Sequence, residues 1–312
     1  MTDPDGDAAP APVPDNHAVT GTRTGLILGV AAFVSWGVLP AYLKLLNGVP
    51  AIQVLAHRII WSLLLLALIV VATRRVGTIR AAARGRTLAL LAASATLIAV
   101  NWMVYIWAIG HAQVLAASLG YFINPLVNVA LAVTVLRERV GRMQLVAVGI
   151  AAAGVLVMAV AGGGGDVWIS LTLAISFGFY GLIRKVVAID ALGGLTIETL
   201  LLAGPALAVI GWAQAGGSGA FGHDQRLDLL LVAAGAVTAT PLLLFAAAAR
   251  RLRYATIGLL QYIAPTLQLA QAVLLFGEPL KSHHMAAFGL IWAGCAVYSI
   301  GSWRGRERTV AA

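Results

Sequence analysis

Polar side chains recur at helical spacing inside otherwise apolar stretches of this sequence. Asn101 and Tyr105 stand four residues apart, Tyr121, Asn124 and Asn128 follow a three-four spacing, and Gln261 and Gln268 are seven apart with Pro265 between them. On a helix each set falls on one face. Such amides and hydroxyls can hydrogen-bond a polar solute, or they can glue neighbouring helices at on the order of 1 kcal/mol or less each. Three aligned stripes favour the wall of a polar cavity. The aromatic residues Trp36, Trp61, Trp102, Tyr105, Tyr180 and Tyr262 could stack on a flat or cationic solute. Pro125, Pro241 and Pro265 remove backbone hydrogen bonds inside apolar stretches, which makes bends there and candidate gates.

The scaffold that must hold these groups is a membrane one. Of 312 residues 60% are hydrophobic and 11% charged, against roughly 45–50% and 25% in soluble domains. Apolar stretches fall near 24–46, 51–73, 87–110, 112–136, 143–161, 167–187, 193–214, 227–249, 254–276 and 283–303. Ten helices of about 20 residues account for most of the chain, and no large soluble domain fits. A net charge of +9 would suit nucleic acid only on a folded basic module, which this composition excludes. Residues 1–23, rich in Ala, Pro and Asp, read as a disordered tail rather than a signal peptide.

The basic residues set the orientation instead. With both ends in the cytoplasm, that side holds Arg23, Arg74, Arg75, Arg80, Arg84, Arg86, Arg137, Arg139, Arg142, Arg184, Lys185, Arg250, Arg251, Arg253, Arg304, Arg306 and Arg308. The far side holds only Lys44, Arg226 and Lys281. Cytoplasmic loops retain Lys and Arg, so a 17 to 3 split supports ten spans with both termini inside. Trp107 then suits the aromatic belt at the membrane surface.

Arg58 and Glu198 are the charges left well inside the spans. Arg58 lies about 10 Å from the outer end of its span and Glu198 about 8 Å from the inner end of its own, at 1.5 Å per residue. In a core about 30 Å thick their backbones are about 12 Å apart along the membrane normal. The expectation is therefore two separate roles: Arg58, with His57 beside it, in an outward vestibule, and Glu198 in an inward one, where it could bind a proton or cation. The competing reading for each is snorkelling to the headgroups.

The chain also repeats itself at an offset near 140. Ile123, Pro125, Glu138, Gly149, Ala153 and Gly154 match Ile263, Pro265, Glu278, Gly289, Ala293 and Gly294 without a gap, and Ser35-Trp36-Gly37 matches Ser176-Phe177-Gly178. Arg58 and Glu198 are equivalent positions in this register. Five helices per repeat put the halves in opposite orientations, a transporter architecture with its substrate site near the midplane. The expected fold is all-α, two inverted five-helix repeats at 24–161 and 167–303, with a C-terminal tail at 304–312. Gly149/Ala153 and Gly289/Ala293 read as close helix contacts, within the fold or with a second copy of the chain.

Several stretches resemble a known group. Trp36-Gly37-Val38-Leu39-Pro40, Ala56-His57-Arg58, Asn101-Trp102 with Tyr105-Ile106-Trp107, Gly120-Tyr121-Phe122-Ile123-Asn124-Pro125-Leu126, Leu136-Arg137-Glu138-Arg139 and Gln261-Tyr262-Ile263-Ala264-Pro265-Thr266 look like the RarD-type branch of the EamA, drug/metabolite transporter superfamily. The resemblance covers about residues 24 to 303. It implies a ten-helix permease of two EamA repeats in the inner membrane.

Other chemistries find little support. Adjacent His283-His284 lacks the spacing for a two-histidine metal site, Gly162–Gly165 has no Gly-Lys-Ser/Thr after it, and no nucleophile with an adjacent base is visible. Cys295 reads as a small core residue. No cofactor is expected. The reading is a secondary-active transporter, an exporter of small organic metabolites or drugs, working by alternating access. Its site residues are Trp36, His57, Arg58, Asn101, Tyr105, Tyr121, Asn124, Asn128, Tyr180, Glu198, Gln261, Tyr262 and Gln268, with Pro125, Pro241 and Pro265 gating. Its partners are a small-molecule substrate, the bilayer, a coupling proton or cation and a second copy of the chain. The alternative is a membrane-embedded enzyme or a lipid flippase-like protein.

Overall fold

The structure is a computed structural model that describes residues 16–135, 137, 141–161, 165–249, 251–252, 256–257 and 260–310. Among them every regular element is helical. In chain order these are α1 (Asn16–Gly37), α2 (Leu39–Lys44), α3 (Ala51–Ala72), α4 (Val76–Ala82), α5 (Gly85–Gly110), α6 (Val114–Thr134), α7 (Arg142–Ala161), α8 (Val167–Val186), α9 (Ala191–Ala215), α10 (Gln225–Ala249), α11 (Ile263–Ala270), a π-helical turn at Gln271–Leu275 and α12 (Ser282–Val310). Among the described residues seven stretches are long and apolar enough to cross a membrane: Thr22–Lys44, α3, α5, Val114–Leu131, α8, α9 and α10. Leu145–Ala161 and Ile263–Leu275 are shorter apolar helices. Glu138, Arg139, Arg250, Arg253 and Gly162 to Gly164 lie outside the described residues.

The first apolar stretch is broken at Val38 by Pro40, near the start of α2. A proline there has no N–H and its ring crowds the carbonyl four residues back, that of Trp36. Gln268 Nε2 donates to this Trp36 carbonyl at 3.1 Å. One residue on, Gln271 fills the next gap: its Nε2 donates to the Gly37 carbonyl while its Oε1 accepts from Ala41 N–H at 3.1 Å. A side-chain amide from another helix thus stands between the two ends of a helical hydrogen bond that the break has opened.

The prolines differ in placement. Pro125 and Pro241 lie inside α6 and α10, as does Pro205 in α9. Pro265 corrects the expectation of an interior kink: it occupies the first turn of α11, where a missing N–H costs no helical bond.

Helix contacts run α3 to α9, α3 to α10, α1 to α10, α5 to α8, α5 to α9, α6 to α8, α1 to α11 and α7 to α12. Small residues set the closest of them. A Cβ on Gly235 of α10 would sit 2.4 Å from the backbone of Trp61 in α3, and one on Gly120 of α6 would sit 2.8 Å from the Ser170 carbonyl in α8. For α7 and α12 the seam is Ala147, Ala151 and Gly154 against Ala287 and Gly294. Gly149, Ala153, Gly289 and Ala293 instead face outward. Both stripes are small, so residue size alone could not tell the seam from the outer face.

Candidate functional site

Arg58 of α3 is 3% exposed. Its Nε donates to Thr238 Oγ1 of α10 at 3.0 Å, and the Thr238 hydroxyl in turn donates to the Ala234 carbonyl at 2.8 Å. The guanidinium lies 5.2 Å from the ring centre of Trp102 in α5, within cation–π range. Nη1 is buried with no hydrogen-bond partner among the described residues. Tyr105 follows Trp102 by one turn on the same side of α5.

Asn101, one helical position before Trp102, joins three helices. Its Nδ2 donates to the Leu173 carbonyl and to Ser176 Oγ of α8, both at 3.0 Å, and its Oδ1 accepts from the Tyr121 hydroxyl of α6 at 3.1 Å. The amide is therefore satisfied by protein and positions Tyr121. Tyr105 packs its ring 5.5 Å from that of Tyr121, and its buried hydroxyl has no partner. Asn124, one turn beyond Tyr121, is buried with Oδ1 likewise unpartnered. Asn128 is exposed.

The start of α3, beside Arg58, is covered. Gln53 donates to the Ser218 carbonyl and accepts from Ala220 N–H, both at 2.9 Å. The His57 ring stacks on Phe221 at 5.5 Å, and Trp61 stands 5.9 Å from the same ring. The α9–α10 loop is thus clasped over the first turns of α3.

Glu198 of α9, 1% exposed, sits in a second cluster. Ser94 of α5 donates to its Oε1, Tyr180 of α8 donates to Oε2 at 3.5 Å, and Arg184 Nη1 stands 3.7 Å from Oε1. Arg184 also donates to the Asp190 carbonyl at 3.3 Å. Arg58 and Glu198 have separate partners and neither is at the surface. At the end of this cluster Arg75 grips Asp190 with two hydrogen bonds of 2.9 and 3.0 Å. The guanidinium holds the Asp190 carboxyl below the usual carboxylate range.

Gln268 is buried against the helix-1 break, and Trp36 beside it packs with Phe33 and Phe245. Tyr262 stacks on Phe122 at 6.3 Å. Gln261 lies half-buried in the turn before α11. Glu278 accepts from Val114 and Leu115 N–H at 2.8 Å each, capping α6. Burial pushes its carboxyl up, against the pull of those two N–H groups. Among the described residues no group of three metal-ligating side chains occurs, and the His283 and His284 rings simply stack edgewise at 4.3 Å.

Sequence reading missed Arg184, Ser94, Ser176, Thr238, Gln53 and Gln271 as members of these clusters. Two carried a signal: Ser94 is seven residues before Asn101, and Arg184 four after Tyr180, each on an already polar face.

Comparison with known proteins bears on this arrangement. The model of a family described as EamA-like transporter family matches residues 23–160. An uncharacterized transporter of Pseudomonas aeruginosa is 45% identical over 293 residues, 93% of this chain and 98% of that protein. Protein RarD of Streptomyces exfoliatus is 45% identical over 289 residues (92% and 91%), and Protein RarD of Escherichia coli is 42% identical over 290 residues (92% and 98%). A crystal structure described only as that of a protein aligns with a TM-score of 0.60 at 18% identity, over 92% of this chain and 98% of that one, a likeness of fold alone.

Proposed function

The chain belongs to the RarD-type branch of the EamA-like transporter family, and we propose that within it the protein is a secondary-active exporter of small organic solutes, working by alternating access. The observation that carries this is the meeting of polar groups from both halves of the sequence inside the helices: Arg58 of α3 on Thr238 of α10 and on the Trp102 face of α5, and, one residue away on α5, Asn101 on Ser176 of α8 and Tyr121 of α6, with Tyr105 packed on Tyr121. Polar groups within apolar helices are costly and mark solute pathways. Trp36, Asn124, Tyr262 and Gln268 are assigned to the same wall, Pro125 and Pro241 are the candidate bends, and Glu198 is the candidate for a coupling proton or cation.

The halves are ten spans in two inverted repeats, 24–161 and 167–303, with both termini in the cytoplasm of an inner-membrane protein. Matched helix contacts support the duplication. At an offset near 140, α6 on α8 corresponds to α11 on α1, α3 on α10 to α9 on α5, and α1 on α10 to α8 on α5. The pairs α3–α9 and α7–α12 map onto themselves, as an approximate two-fold axis requires.

Metabolite profiling of bacteria that overproduce or lack the protein tests the reading. A defined set of small solutes should accumulate outside the overproducers and inside the deficient cells. Identical profiles would count against export, and flux without saturation or counterflow would indicate a channel.

A further inference from the structure

Arg58 is a full positive charge held where a charge is expensive. It is 3% exposed, so its head does not reach the headgroups. Its environment supplies no counter-charge: among the described residues no carboxylate comes within ion-pair distance of it, whereas Glu198 has Arg184 and Asp190 has Arg75. What the described residues place on the guanidinium is neutral: the Thr238 hydroxyl on Nε and the Trp102 face, with Tyr105 one turn beyond Trp102 on α5. Among the described residues Nη1 is left without an acceptor, and so is the proton of the Tyr105 hydroxyl.

A buried donor without an acceptor is destabilising, more so when charged. A guanidinium whose Nε edge is anchored still presents a fork suited to an oxyanion. We propose that Arg58 and Tyr105 form an anion subsite, so that the solute carries a carboxylate or a comparable oxyanion which accepts from Arg58 Nη1 and the Tyr105 hydroxyl. This rests on the carrier reading above and narrows its substrate class. Thr238 and Trp102 fix the guanidinium. Asn101 acts through Tyr121 as a positioning residue. The clasp of Gln53 and His57 on the 218–221 loop would close the subsite from outside once it is filled.

The test uses the full chain in discs of phosphatidylcholine, which contribute no anionic lipid. Wild type, Arg58→Gln, Arg58→Lys and Tyr105→Phe are incubated with an aqueous metabolite extract of bacterial cells, washed, and the retained solutes identified by mass spectrometry. The expected result is retention of oxyanion-bearing solutes, reduced about tenfold or more in Arg58→Gln, less in Tyr105→Phe, and partly kept in Arg58→Lys, with unchanged gel-filtration profiles. Retention of neutral or cationic solutes only, of anions equally by Arg58→Gln, or of nothing above empty discs overturns the subsite. Arg58→Lys keeps the charge and so guards against a simple folding defect in Arg58→Gln. Retained solutes are then loaded into liposomes for counterflow. Anion retention without counterflow would overturn the carrier reading and leave the subsite standing. Counterflow of neutral solutes alone would do the reverse.

Discussion

Gly194 makes room for Arg184. A Cβ built on Gly194 would lie 1.6 Å from Arg184 Nη1, the atom facing Glu198. The missing side chain in α9 is therefore the space through which a guanidinium from α8 reaches a buried carboxylate.

Gly194→Ala should expel Arg184 and leave Glu198 buried without its cation, at a cost of about 3 kcal/mol or more. Arg184→Ala should cost much the same, because it removes the same contact. The double variant should be no worse than either single one. Thermal unfolding in detergent reads this, and additive losses would show that Gly194 matters for another reason.

Arg58→Glu combined with Glu198→Arg should remain inactive in transport. Each charge has its own neighbours: Thr238 and Trp102 for one, Ser94, Tyr180 and Arg184 for the other. Recovery of export in the swapped protein would make them partners.

The Arg75–Asp190 pair should contribute only about 0.2–1 kcal/mol, since its side chains are 35% and 46% exposed and water screens them. Asp190 has its carboxyl held low by Arg75, so the contribution is present above the ordinary carboxylate pKa and is lost as pH falls through the depressed value. The stability gap between wild type and Asp190→Asn should stay flat from neutral pH to about 5 and close only below about 4. It should also shrink in high salt. A gap that widens in acid contradicts this.

Gln53→Ala should loosen the 216–224 loop, which loses both the Ser218 and the Ala220 hydrogen bonds. Amide hydrogen exchange across that loop should accelerate by about ten- to hundredfold, with α7 and α12 unaffected. Unchanged exchange would mean that the Phe221 stack alone holds the loop.

Reporter fusions at Arg80 and His223 should report opposite sides of the membrane. The same side for both would defeat the ten-span proposal.

The sequence made the long apolar helices legible because hydrocarbon demands a run of apolar residues and leaves charges at the ends. It also exposed local stripes, so Asn101, Tyr105, Tyr121 and Asn124 were found from spacing along their own helices. What it hid are partnerships across distance in the chain. Thr238 meets Arg58 across 180 residues and Gln271 meets Gly37 across 234, with no periodicity to announce either. From sequence Arg184 reads as a loop residue because basic residues at span ends usually belong there, but its long side chain turns back to Glu198. Two adjacent small stripes on α7 and α12 defeated the choice of seam for the same reason: packing geometry, not residue size, selects between them.

The Gln271 amide gives the break in the first span an unusual property. A helix normally carries its own hydrogen bonds wherever it moves, but here one bond of the chain before Val38 to the chain after it is closed by a donor and an acceptor belonging to the π-helical turn beyond α11. The stiffness of that joint is thus on loan from a distant segment. A movement that slides the π-helical turn away from Gly37 and Ala41 withdraws the splint and leaves that joint on the bond from Ala41 N–H to the Val38 carbonyl, so the bending of the first span is tied to a segment more than 200 residues away.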